Sequence, residues 1–274
     1  VVSLETDAGW QLVVADLEAG EAVQLTGPDD LADLSPLSFC VCPANGTAYV
    51  HDSRTIKSVD LHTGHTDDIF TAPEGYRVAT PSVDPQGRRL AFSICEQSHG
   101  FTRTGKIYSV MHENYFFRPR SMVVAIDLED MAPSVVWGER EWISHVVVHP
   151  ADPNKIVFCH EGGLMVDHRL WIVDSDVRHK RRARPLYHEG PREFLVHEFA
   201  LPDGTIGVQH TIFPEEDAGH GDWDLAEEHV MFLSDDGEVL ADYRLPGRRD
   251  MHVHSTADRS LIVGDSWFPE RDMP

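Results

Sequence analysis

Short apolar runs broken by turn residues dominate the chain, and they recur in two forms. In the first, a turn rich in Pro, Asp, Asn or Gly leads into a short apolar strand. It spans Cys42–Val50, Asp84–Phe92, Asp152–Phe158, Pro202–Val208 and Ala257–Val263. In the second, an apolar strand ends in Asp and turns into another strand. It spans Leu12–Asp16, Ile56–Asp60, Val123–Asp127, Leu170–Asp174 and Val230–Asp235. The runs are short, β-branched and bounded by turns, which marks them as strands and not helices. One copy of each form makes a four-stranded antiparallel unit, and the turn residues supply the backbone angles that tight hairpins need. Successive copies lie about forty to nearly seventy residues apart, the length of a β-propeller blade with the excess in loops.

The pattern therefore predicts an all-β protein, a single β-propeller domain over 1–274 that lacks part of its first and last blades. The chain opens on the second half of a blade, runs through four whole blades, and closes on the first half of another near Asp265. The two halves can pair to close a five-bladed ring, or further blades can be missing from both ends; the second is the expectation. Two long insertions, Gln97–Pro119 and Glu215–Glu228, are predicted to rim a binding site.

Composition narrows the class. Apolar residues make up 41% of the 274 residues, which suits a folded chain. No apolar run is long enough to span a membrane, and no signal peptide is visible at Val1–Glu5. The chain lacks an initiator Met and begins almost inside a strand pattern, so part of the native N-terminus is expected upstream. Cys40, Cys42, Cys95 and Cys159 have no zinc or CxxC spacing and are expected to be buried free thiols in a reducing, cytoplasmic setting.

The net charge is −23, and only four of the 23 basic residues are lysines: Lys57, Lys106, Lys155 and Lys180. An acidic, lysine-poor surface is expected of a halophilic protein, although a GC-rich genome gives the same Arg bias. Such a charge argues against nucleic acid as a partner. An anionic sugar stays possible through a local cationic pocket or a metal. Nothing in the sequence fixes the oligomeric state.

Seventeen histidines are present, clustered after residue 140. His252 and His254, two apart on a strand, point to one face and can reach one ion, though spacing alone does not name the metal. The stretch Val196-His197-Glu198-Phe199 precedes the Pro202-Asp203-Gly204 turn and so begins a blade's innermost strand. Phe158-Cys159-His160-Glu161-Gly162 ends the second strand of the preceding blade, and Asp167-His168-Arg169 starts its third. Arg169 and His197 then lie on neighbouring strands of adjacent blades and can share a site, the blander alternative for Arg169 being a salt bridge. The nucleophile elbow GxSxG and the phosphate loop GxxxxGK[ST] are both absent from the sequence.

These residues resemble the oligogalacturonate lyase family. The likeness rests on His149–Gly162 with Arg169-Leu170-Trp171, on His197-Glu198-Phe199 with Asp203-Gly204, and on His252 followed by Leu261–Asp265. His112–Tyr115 and Asp16–Thr26 also resemble it. The resemblance implies a seven-bladed propeller that carries manganese and cleaves short oligogalacturonates by β-elimination. It implies that His197 is the catalytic base, Arg169 the catalytic arginine and His252 a metal ligand. The family's remaining ligands, a glutamine and two close histidines, belong to a final blade that does not follow Pro274. His254 is added to the metal site on strand geometry alone, and His160 is expected to bind substrate. The competing expectation is a non-catalytic propeller that binds sugar or protein, which has no need for Arg169, His197 and His252 in one channel.

Overall fold

A computed structural model describes residues 1–7, 9–27, 30–31, 39–97, 111–176, 182–215, 225–245 and 250–266. It divides into two compact units, Val1–Val148 and His149–Pro274. Among the described residues, no helix is long and apolar enough to cross a membrane.

In the first unit, β1 (Val2–Thr6), β2 (Gly9–Asp16) and β3 (Glu21–Gln24) form an antiparallel sheet in that order. The strands β4 (Phe39–Cys42), β5 (Thr47–Asp52), β6 (Thr55–Asp60) and β7 (Thr66–Thr71) form a four-stranded meander. Next come β8 (Tyr76–Val78) and β9 (Ser82–Val83), which pair one after the other with the same edge of β10 (Arg89–Glu96). A short helix α1 (Met111–Phe117) intervenes before β11 (Ser121–Asp127) and β12 (Ala132–Glu139) complete that sheet. The unit ends with β13 (Ile143–Val148).

The second unit contains β14 (Lys155–His160), β15 (Leu170–Asp174) and β16 (Ala183–Pro185), paired in that order. A four-stranded meander follows: β17 (Glu193–Ala200), β18 (Ile206–Ile212), β19 (Glu227–Leu233) and β20 (Val239–Arg244). The hairpin β21 (Asp250–Ser255) with β22 (Ile262–Ser266) closes the described chain.

The turn residues act as the repeat predicted. Asp16 Oδ1 accepts the amides of Glu18 and Ala19, and Asp60 Oδ1 those of His62 and Thr63. Asp84 Oδ1 takes the amides of Arg88 and Arg89. Each carboxylate replaces a backbone partner and fixes the reversal. Both predicted strand families appear at their expected places.

Two details differ. The first sheet has three strands where half a blade was expected, because Val2–Thr6, too polar to stand out, pairs with β2 through a turn at Gly9 (φ 93°). Of the predicted insertions, α1 falls inside the first, whereas 98–110 and 216–224 lie outside the described residues. Glu227 and Glu228 belong to β19 and not to a loop.

The cores are built by alternation. In the first unit Leu90, Phe92 and Ile94 of β10 pack with Tyr49, Ile56 and Val124, and Phe70 and Phe92 meet with ring centroids 4.9 Å apart. In the second, Phe199 and Leu201 pack against Val230, Phe232 and Val253. Gly207 is required there. A Cβ at that position would lie 2.1 Å from the Phe199 ring, so only Gly lets Phe199 cross its neighbouring strand.

Candidate functional site

Every candidate residue of the sequence lies in the second unit. The local architecture is set by an irregularity in β17. Val196 pairs with Gln209 and Phe199 with Gly207, so His197 and Glu198 together oppose Val208 alone. This is a β-bulge, which re-aims side chains next to it. His197 sits in the left-handed region at φ 55°, which costs a non-glycine residue on the order of 1 kcal/mol.

His197 Nδ1 lies 2.9 Å from Gln209 Oε1. Gln209 Nε2 donates to Glu228 Oε2 at 3.0 Å, and Thr211 Oγ1 donates to the same oxygen at 2.9 Å. All three supporting residues are buried. Burial pushes the His197 pKa down, the Gln209 contact opposes this, and His252 and Arg169 add to it, so the ring is neutral at neutral pH.

The ring of His252 lies 4.6 Å from that of His197. Asp265 grips His252 at two points, accepting its backbone amide at 2.8 Å and facing its Nδ1 at 2.9 Å. A carboxylate behind an imidazole is the arrangement that orients a metal-binding histidine and raises its basicity. His254 lies along the same strand but meets a different neighbour. Its ring stacks on Phe199 at 4.4 Å, and its Nδ1 is committed to the carbonyl of Ser255 at 2.8 Å. The two histidines thus face β17, His252 against His197 and His254 against Phe199.

Arg169 is buried, and its guanidinium forks onto Glu161: Nη1 donates to Oε2 at 2.7 Å and Nη2 to Oε1 at 3.3 Å. Nη2 also lies 3.9 Å from Glu198 Oε2, on the bulge beside His197. Burial disfavours the guanidinium charge, but Glu161, Cys159 and Glu198 more than offset it and keep Arg169 protonated. Its Nε, also buried, has no hydrogen-bond partner among the described residues. The structure thus contains the salt bridge that was the blander alternative, and it also brings Arg169 towards His197 through Glu198.

His160 is buried, with its ring 4.8 Å from that of Trp171 and 5.8 Å from that of Phe158. Its amide donates to the carbonyl of Arg169. Beside Arg169, a cavity of about 430 Å³ is walled by Asp167, His168, Glu189, Glu193, Phe194 and Phe213. Glu189 accepts the amide of Arg169 at 2.8 Å, and burial pushes its carboxyl up to about 7. Sequence reading missed Gln209, Glu228, Thr211 and Asp265 in these roles. The polar run Gln209-His210-Thr211 inside a strand was the available signal for the first and third.

Comparisons with known proteins bear on the family and the fold. The oligogalacturonate lyase of Dickeya dadantii is 27% identical over 209 residues, covering 73% of this chain and 50% of its own length. The oligogalacturonide lyase of Pectobacterium atrosepticum is 26% identical over 270 residues, covering 94% of this chain and 63% of its own. A solved oligogalacturonate lyase in complex with manganese superposes with a TM-score of 0.76 at 22% identity, covering 95% of this chain and 66% of its own. That likeness shows the fold, an all-β propeller. The chain spans between half and about two thirds of the length of these relatives. The oligogalacturonate lyase family profile matches residues 3–218, and the chain belongs to that family.

Proposed function

We propose that the protein is a metal-dependent lyase that cleaves short oligogalacturonates by β-elimination. The observation that carries this reading is the meeting of two differently held imidazoles, His197 and His252, with their rings 4.6 Å apart and Arg169 behind the same bulge.

β-Elimination removes the proton at C5 of a uronate, next to the C6 carboxylate, and expels the glycosidic oxygen from C4. The proton is too weakly acidic while the carboxylate keeps its full charge. When bound, a divalent cation such as Mn²⁺ neutralises that carboxylate and stabilises the enediolate-like transition state. His252 fits such a cation because Asp265 holds its Nδ1 side. His254, next along the strand face, is the second proposed ligand.

His197 takes the C5 proton. Its lowered pKa keeps it neutral and able to accept one. Arg169 supplies fixed positive charge next to the developing anion, its Nε–H being the donor that Glu161 leaves open. His160, with its ring against Trp171 and its carbonyl accepting from Arg169 Nη1 at 3.4 Å, is the proposed substrate-binding residue beside Arg169. The cavity lined by Asp167 and Glu193 repels an anion, which favours the His197 side for the uronate carboxylate. The whole protein is proposed as a seven-bladed, single-domain, cytoplasmic enzyme.

The test is to mix the protein with digalacturonate and Mn²⁺ and follow the ultraviolet absorbance of the 4,5-unsaturated product. Absorbance should rise with wild type and stay flat with His197→Ala. A flat trace from wild type, with and without metal, would sink the lyase reading, and calorimetric binding of the intact sugar would then identify a binding module.

A further inference from the structure

We propose that Gln209, held by Glu228, is a positioning residue that fixes His197 as the Nδ1–H tautomer and leaves Nε2 as its one basic nitrogen. The inference rests on the reading of His197 as the base, but the tautomer itself can be tested without activity.

The chain of contacts begins at Glu228. Its Oε2 accepts from Gln209 Nε2 at 3.0 Å and from Thr211 Oγ1 at 2.9 Å, and a carboxylate oxygen that takes two donors has no hydrogen to give. The amide NH₂ of Gln209 therefore faces Glu228, and its Oε1 faces His197. The opposite amide orientation would set Oε1 against the carboxylate, oxygen to oxygen, in a site where Gln209 and Glu228 are 3% and 5% exposed. An amide oxygen also only accepts, so the His197 nitrogen 2.9 Å away must carry hydrogen. A neutral imidazole has one N–H. With Nδ1 protonated, Nε2 keeps its lone pair.

Strand register builds this chain. Gln209 and Thr211 share one face of β18, and Thr211 pairs with Glu228 across β19. The bulge in β17 then turns His197 onto Gln209 instead of passing it by. The partner behind His197 is a neutral amide, with the negative charge one residue further off. Behind His252 the carboxylate of Asp265 is in direct contact. A carboxylate at Nδ1 is the partner that orients a metal-binding imidazole, whereas an amide oxygen orients the ring without placing a charge against it. The two histidines are therefore held for different tasks.

The test uses full-length protein with ¹⁵N-labelled histidine. Long-range proton–nitrogen spectra near neutral pH read both ring nitrogens, and His197→Ala assigns the pair. Wild type should show Nδ1 protonated and Nε2 bare. Gln209→Leu should lose that preference and lower kcat on digalacturonate on the order of 10- to 100-fold, with KM little changed. Glu228→Gln still offers an oxygen to Gln209 and should keep the tautomer; Glu228→Leu should lose it. A wild-type ring protonated on Nε2 overturns the proposal, as does Gln209→Leu with unchanged nitrogen signals and kcat. If Gln209→Leu does not fold, the wild-type spectrum and the Glu228 pair decide. An Nδ1–H tautomer in a protein that cleaves no oligogalacturonate upholds the positioning and removes the lyase reading instead.

Discussion

At the scale of single residues, the site depends on contacts that tolerate little change. Gly207 is the clearest. Its missing Cβ is the space in which Phe199 lies, and Phe199 is the platform for His254. Gly207→Ala should displace the Phe199 ring and cost about 1–3 kcal/mol, the usual cost of overpacking. Denaturant titration would check the loss, and unchanged stability would show that the ring moves freely. Asp265→Asn tests the other side of the site. Removing the charge behind His252 should weaken Mn²⁺ binding about 10- to 100-fold, as changes to groups behind metal-binding histidines do. Titration calorimetry reads this directly, and equal affinity would separate His252 from the metal. Little of this residue-level detail was legible in the sequence. The strand read at Pro202–Val208 continues into Gln209-His210-Thr211, and Gln209 and Thr211 acquire meaning only when β19 brings Glu228 opposite.

At the scale of elements the sequence was far more readable, for a local reason. The turns at Asp16, Asp60 and Asp84 are each fixed by a carboxylate binding amides two to five residues on, so their signal is contained in a few adjacent letters. The bulge at His197–Glu198 has no such signature, because it is defined by pairing with a strand ten residues away. Histidines inside strands, half-buried or buried, give the elements a pH response. On β5, burial lowers the His51 pKa from 6.5 to about 4, with Arg77 adding to the drop and Asp52 opposing it. On β18, burial also lowers His210, which Glu193 and Asp242 partly offset and His229 reinforces. A group whose folded pKa lies below its unfolded value takes up protons more readily on unfolding. The stability it protects is complete above about pH 6.5 and is lost as pH falls towards 4. Denaturant midpoints should decline across that window, and His51→Phe should flatten the decline. An identical pH profile for the variant would refute the assignment.

At the scale of the whole molecule, charge is the dominant feature. Acidic residues number 46 against 23 basic, for a net −23. Self-repulsion of that size weakens the compact state, and salt relieves it by shortening the screening length from about 10 Å at 0.1 M to about 3 Å at 1 M. The melting temperature should therefore rise on going from dilute buffer to molar potassium chloride. A constant or falling value would remove both the repulsion argument and the expectation of halophily. Charge and the blade repeat were both evident from composition and pattern alone, since neither depends on which strand meets which.

The bulge in β17 also has an evolutionary reading. Two residues stand where the ladder needs one, and the pairing on both sides is otherwise regular. Loss of a single codon between Val196 and Phe199 would restore an unbroken strand without shifting any other partner. It would also relieve the left-handed residue at His197. The strand is thus one deletion away from a regular version of itself. The same deletion would carry His197 or Glu198 away with the bulge, and with it the aim of the ring at Gln209.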